Sequence, residues 1–156
     1  MNAQQPVYLT PEGVARLRQE LEEKIARRPE MTERLRRAIQ QGDLAENADY
    51  ITAKEEQGFL EGRIQQIEAL LRRAVIIESD GPADEVRLGS RVTVVEDGGD
   101  GPEVFHLVGP AEADPGAGRV SYESPLGQAL LGRRVGEAVS VRAPAGEIVF
   151  RITAIE

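Results

Sequence analysis

Residues 50–74 read YITAKEEQGFLEGRIQQIEALLRRA, and within them Tyr50, Ala53, Gln57, Leu60, Ile64, Ile67, Leu71 and Ala74 recur at intervals of 3-4-3-4-3-4-3. That spacing lines one side of a helix with a continuous seam, the signature of a heptad repeat. A seam needs a partner, and the chain offers one upstream. Thr10-Pro11-Glu12 is a helix start, with Thr10 placed to cap and Pro11 suited to the first helical position. Val14, Leu17, Leu21 and Ile25 follow at helical spacing. Arg28-Pro29 interrupts them, because proline lacks an N–H and clashes with the preceding turn, so a kink with a restart at Pro29 is predicted. Met31, Leu35, Ala38 and Ile39 resume the stripe, and Gln41-Gly42-Asp43 ends it. Two helices joined by a turn of a few residues run antiparallel. The expectation for residues 1–77 is an antiparallel intramolecular coiled coil with its tip at 42–49. About 30 residues per arm, at about 1.5 Å each, give a rod on the order of 45 Å long. Such a rod has no interior for a substrate pocket, so its tip is the part that can reach a site elsewhere.

Past Glu78 the composition changes to Gly, Pro and Val. Arg91 to Val95, Glu103 to Val108, Arg119 to Tyr122, Ala138 to Val141 and Glu147 to Ile155 read as strands. Gly98 to Gly101 and Pro144-Ala145-Gly146 read as turns, and Pro125 to Gly132 as a short helix. The fold class is α+β, with residues 78–156 as a compact β-rich domain that supplies the main core.

The 156 residues carry a net charge of -8, no Cys and no Trp. The absence of cysteine excludes disulfides and thiolate metal sites. No apolar run approaches the roughly 18 residues of a membrane span. Residues 1–6 are polar, without a signal-peptide core, so a cytoplasmic, membrane-free setting is expected. Up to Ile77 there are 12 basic and 13 acidic residues; from Glu78 onward there are 7 and 14, a net of -7. An acidic second half does not hold nucleic acid by charge attraction and favours a protein partner with a basic surface.

The tip concentrates Asp43, Glu46 and Asp49. Paired carboxylates on a tight turn suit Mg²⁺, a hard cation with oxygen ligands, although two alone hold it weakly. Acids ahead of a helix also favour its dipole, and spacing alone does not separate these roles. Arg27, Arg28, Arg34, Arg36 and Arg37 form a basic cluster that suits either pairing with nearby glutamates or contact with RNA or a polymerase. His106 sits in an alternating strand, at a rim rather than in a catalytic arrangement, and Gly98 to Gly101 lacks the strand–loop–helix context of a phosphate loop.

The string from Gly42 to Tyr50, GDLAENADY, followed by Ala53-Lys54-Glu55-Glu56-Gln57 and Glu61-Gly62-Arg63-Ile64, resembles the tip and second arm of the Gre family of transcript-cleavage factors, and within it the GreA type. Tyr8-Leu9-Thr10, Arg28-Pro29-Glu30, Ser124-Pro125-Leu126-Gly127, Ala129 to Gly132 and Pro144 to Glu147 extend the resemblance over nearly the whole chain. It implies an FKBP-like second domain docked on RNA polymerase near its secondary channel, with the coiled coil passing down the channel toward the extruded 3′ end of nascent RNA. Asp43 and Glu46 match the family's tip acids. They would complete a Mg²⁺ site shared with the polymerase, not held stably by the free protein, and orient the attacking water. The factor would stimulate the polymerase's own hydrolysis of backtracked RNA rather than act as a free-standing enzyme, and would be monomeric when free. Asn47 and Tyr50 would shape the tip; Lys54 and Arg37 would meet RNA. Relatives often carry arginine at the position of Ile39, so the basic patch rests mainly on Lys54. A Gre-like inhibitor occupying the same channel shares the architecture, and the activator-like tip string is what speaks against it. A prolyl isomerase needs convergent aromatic side chains, and after Glu78 there are only Phe105, Tyr122 and Phe150.

Overall fold

In the computed structural model, described for residues 5–42, 47–78 and 84–156, the chain is α+β and divides into two compact units. One comprises residues 14–73; the other joins residues 1–13 to residues 74–156.

The helical unit holds most of α1 (Pro11–Ala26), α2 (Arg28–Gln40) and α3 (Ala48–Arg72). The break between α1 and α2 falls at Arg27, and Pro29 lies in the first turn of α2, where its missing N–H costs no helical bond. Cross-links fix the pairing as antiparallel: Arg63 to Glu20, Arg28 to Glu61, Arg34 to Glu56, and Asn47 to Ala38. The ion-pair side chains are roughly a third to a half exposed, so each contributes at most about 1 kcal/mol and mainly sets register. Apolar burial does more. Met31, Leu60 and Ile64 form a buried cluster with Leu21 against it, and Ala53 and Ile67 are buried along the same seam of α3.

Two expectations for the first arm fail. Ile25 is 42% exposed and Ile39 is 52% exposed. Ile25 lies just before the break at Arg27, where the helical phase is lost. Ile39 follows the buried Ala38, and one residue is about 100° around a helix. The seam of α3 also stops one step early: α3 ends at Arg72, and Ala74 opens a strand.

That strand explains why the compact units do not divide at Ile77/Glu78. β1 (Val7–Leu9) pairs in parallel with β2 (Ala74–Ile76), Val7 opposite Ala74 and Leu9 opposite Ile76. The Ile77 N–H extends the ladder to the Leu9 carbonyl. A three-residue strand whose partner lies 67 positions away leaves no local periodicity to read.

In the same unit, β3 (Arg91–Glu96), β4 (Pro102–Val108), β5 (Arg119–Ser121), β6 (Ala138–Ala143) and β7 (Gly146–Ile155) form one sheet in the order β5-β4-β3-β7-β6. The β4–β5 pair is parallel, reached through two 3-10 turns at Pro110–Glu112 and Pro115–Ala117; the other neighbours are antiparallel. The five strand positions and the short helix α4 (Pro125–Leu130) match the sequence expectation within a residue or two. Val86, Val92, Val94, Leu107, Leu130, Val139, Phe150, Ile152 and Ile155 make the core, and Phe105 meets Phe150 edge to face. Each such side chain contributes roughly 1.5–3 kcal/mol on burial.

A polar clasp pins the start of α1 within this unit. Glu112 is 8% exposed, and its two carboxylate oxygens accept the Thr10 N–H and the Thr10 hydroxyl, both at 2.6 Å. The same hydroxyl accepts the Gly13 N–H at 3.0 Å, so Thr10 caps the helix while Glu112 holds Thr10. A Cβ on Gly13 would lie 2.2 Å from the Glu112 carboxyl carbon, so a larger residue there would displace the clasped carboxylate. The cap was legible in the sequence, but the carboxylate 102 residues away was not.

Candidate functional site

The site predicted from sequence is the end of the helical hairpin. Asp43 and Glu46, its proposed metal ligands, lie outside the described residues, so the site is defined here by the residues that bracket them. On the α2 side, Gln41 caps the helix with its N–H on the Ala38 carbonyl, and Gly42 turns the chain with φ 117°, a conformation only glycine adopts freely. On the α3 side, Asn47 is the N-cap, extended in backbone, with Oδ1 accepting the Tyr50 N–H at 3.0 Å. The Asn47 Nδ2 donates to the Ala38 carbonyl oxygen at 2.6 Å. One amide therefore caps α3 and ties it to the last turn of α2.

Asn47 therefore joins the first turn of α3 to the last turn of α2. The sequence signal for its cap was present, since Asn is among the preferred caps. The bond to Ala38 had no local signal. Tyr50, half-buried, contributes its backbone N–H to the cap. Asp49 is an exposed acid in the first turn of α3, where it complements the helix dipole.

A shallow recess of ≈ 180 Å³ lies beside this end, lined by Arg34, Arg37, Ala38, Gln41, Asp49 and Ala53. The arginine cluster of α2 is largely paired. Arg28 and Arg34 reach across to Glu61 and Glu56, while Arg36 and Arg37 share Glu33. Hydrogen bonds from Arg36 first, then the charges of Arg36 and Arg37, hold the Glu33 carboxyl down at about 2. Arg37 is thus an exposed cation already sharing a carboxylate at 3.2 Å, whereas Lys54 is exposed and makes no ion pair to a described residue. His106 is half-buried, and burial followed by the charge of Arg91 lowers its pKa. Among the described residues, no three His, Asp or Glu side chains come together as a metal site.

In the β-rich unit, Ser124 caps α4. Its Oγ accepts the Gly127 N–H at 3.0 Å and donates to the Ser121 carbonyl at 2.7 Å. A Cβ on Gly127 would stand 2.0 Å from that same carbonyl oxygen, so glycine is required at the fourth position of Ser124-Pro125-Leu126-Gly127.

The described part of the helical unit thus ties α3 to α2 through one side-chain amide that directly follows the acidic sequence Asp43-Leu44-Ala45-Glu46, and a β-rich unit makes up the rest of the chain's compact structure. Residues 7–76 match the family described as transcription elongation factor, N-terminal, and residues 81–156 match transcription elongation factor, GreA/GreB, C-terminal. The chain belongs to the GreA/GreB family of transcription elongation factors. It is 48% identical over 153 residues to transcription elongation factor GreA of Roseiflexus sp. (strain RS-1), covering 97% of this chain and 98% of that protein. With GreA of Bacillus subtilis (strain 168) it is 46% identical over 155 residues, covering 98% and 99%. The crystal structure of GreA factor homolog 1 (Gfh1) of Thermus thermophilus aligns over 97% of this chain and 99% of that one, with 35% identity and a TM-score of 0.45.

The Asn47 bonds give a stability prediction. Asn47→Asp keeps a good cap for α3 but replaces the donor to Ala38 with a carboxylate oxygen. The expected cost is about 1–2 kcal/mol in the unfolding of the helical unit, read by circular dichroism melts. A melt identical to wild type would show that the cross-arm bond contributes nothing.

Proposed function

We propose that this Gre-type elongation and cleavage-stimulating factor works inside RNA polymerase. The β-rich unit, FKBP-like in this reading, docks near the entrance of the secondary channel, with the rigid Ser124 to Gly132 segment as the first docking candidate. The helical unit, as a coiled coil, passes down the channel to a backtracked RNA 3′ end. Burial along the α3 seam supports the coiled coil, and a five-stranded sheet with one short helix supports the second assignment.

The observation that supports the mechanism is the Asn47 clasp, which ties α3 to α2 directly after the acidic sequence Asp43-Leu44-Ala45-Glu46. Two hard oxygen donors three residues apart fit Mg²⁺ as part of a shared coordination sphere, the polymerase supplying the rest. When bound, the ion would make water a stronger nucleophile and neutralise charge on the leaving oxygen. Asp43 and Glu46 would position that water against the scissile phosphodiester. Lys54, with no ion pair to a described residue, would meet the RNA backbone; Arg37 would do so while sharing its charge with Glu33. The factor itself is then no enzyme, is monomeric when free and works in the cytoplasm. No helix among the described residues is long and apolar enough to cross a membrane.

The test is a cleavage assay on a stalled, backtracked polymerase complex, with and without the protein. Added factor should raise the rate of RNA cleavage. Without polymerase, the purified protein should leave RNA intact in Mg²⁺, because it supplies too few ligands alone. Unstimulated cleavage in the complex, or hydrolysis by the factor alone, would overturn the shared-site reading. Stable occupancy of the channel without cleavage would make the protein an inhibitor.

A further inference from the structure

The recess beside the hairpin end holds charged groups that the helical unit leaves unjoined. Ala38 and Ala53 line it and are both buried; farther along, Met31, Leu60 and Ile64 fill the space between the arms. The rest of the lining is polar: Arg34 and Arg37 stand on α2, Gln41 at the end of α2, and Asp49 in the first turn of α3. The arginines are paired elsewhere, Arg34 with Glu56 and Arg37 with Glu33, and neither glutamate lines the recess. Asp49 is exposed and makes no ion pair to a described residue. Support of the helix dipole accounts for an acid in that turn. It does not account for a carboxylate and two guanidinium groups around one gap that none of them closes. A slot with an acceptor on one arm and donors on the other serves something that enters from outside.

We propose that this recess is a nucleobase site selective for guanine, and that it reads the extruded segment of backtracked RNA, with Asp49 taking the guanine pairing edge and Arg37 its O6. The proposal deepens the function proposed above and rests on it. Size selects a base rather than a whole nucleotide: the recess, at ≈ 180 Å³, is smaller than the roughly 300–1,000 Å³ of pockets that enclose drug-sized ligands. One flat ring system enters, and its sugar and phosphate stay outside. Chemistry selects the class. Guanidinium planes for stacking and hydrogen-bonding groups for the base edge are what proteins present to unstacked bases of single-stranded RNA. The acceptor then selects among the bases. A carboxylate offers two oxygens and no donor. Guanine alone carries two adjacent N–H donors on its pairing edge, N1 and the 2-amino group, and it leaves O6 as an acceptor for arginine. Asp49 is in this reading a specificity residue, separate from the metal ligation assigned to Asp43 and Glu46. Tethering makes such a shallow site effective, because a chain already anchored on polymerase holds it beside the RNA at high effective concentration.

The experiment uses the full-length chain on backtracked polymerase complexes whose extruded RNA differs only in its bases: guanine, hypoxanthine, adenine or uracil. Each rate is divided by the rate of the same complex without factor, which removes the polymerase's own preference. Wild type should stimulate cleavage of the guanine complex at least about fivefold more than the adenine complex. Hypoxanthine keeps O6 and N1–H but lacks the 2-amino group, so its complex should lose most of that advantage. Asp49→Asn replaces one acceptor oxygen with a donor and should abolish the guanine preference, with a circular dichroism spectrum like that of wild type. A residue that served only the helix dipole would not move the ratio between bases. If wild type stimulates no complex, the function proposed above has failed and the base site falls with it. If wild type stimulates all four complexes equally, the base site alone is wrong. If Asp49→Asn lowers all four to the same degree, Asp49 acts on the metal or the fold, and the base site is again overturned.

Discussion

Asp43→Ala and Glu46→Ala should each reduce stimulated RNA cleavage at least about 100-fold while leaving competition for polymerase within about twofold of wild type. The separation follows from the division of the chain. The proposed function assigns docking to the β-rich unit, so removing a carboxylate from the helical unit should leave the docking surface intact. In the proposed mechanism cleavage depends on a site with two carboxylates from this chain, and the loss of one would leave a lone ligand for an ion that is reluctant to shed its waters. Raising Mg²⁺ should restore part of the activity of either mutant if the lost group is a ligand. A mutant that cleaves at the wild-type rate removes that residue from the mechanism. A mutant that loses polymerase binding to the same degree as cleavage shows that the tip anchors as well as acts.

The second large effect is on stability. Glu112→Ala should destabilise the β-rich unit by about 3 kcal/mol, because it strips two short charge-assisted bonds and leaves the buried Thr10 N–H without its acceptor. For a unit of this size that corresponds to a fall in melting temperature of roughly 10 °C or more. Thr10→Val should cost less, since the backbone N–H keeps its bond to Glu112 and only the hydroxyl bonds are lost. The pair should couple by about 2 kcal/mol in a double-mutant cycle. A Glu112→Ala protein that melts within a degree of wild type would mean that the clasp contributes nothing to folding.

These cases mark where the sequence was informative. The heptad in α3, the interruption at Pro29 and the alternation in β3, β4, β6 and β7 are local patterns with a period, and the structure has helices and strands at those places. Ile25 and Ile39 were misplaced because a stripe interrupted by a break does not keep its phase, and because two adjacent apolar residues cannot both face a thin seam. β1, β2, the Glu112 clasp and the Asn47–Ala38 bond are pairings between distant or irregular positions, which no window of sequence contains. The family was legible for a different reason: the residue string from Gly42 to Tyr50 is specific to it, whereas the spacing of its acids alone did not distinguish metal ligation from dipole stabilisation.

The parallel pairing of β1 with β2 has a consequence for how this factor can be taken apart. The chain leaves the paired strands at Leu9 and returns at Ala74, opposite Val7, so the helical unit is topologically an insertion into a β-rich host. Cutting at Glu78 would strip the host of both strands and of the Thr10 partner that Glu112 requires. Excising residues 14–73 and closing the gap with a short flexible bridge would instead return the host to a single continuous body. The helical segment is in that sense a cassette, exchangeable for one with a different tip while the host keeps its own surface unchanged.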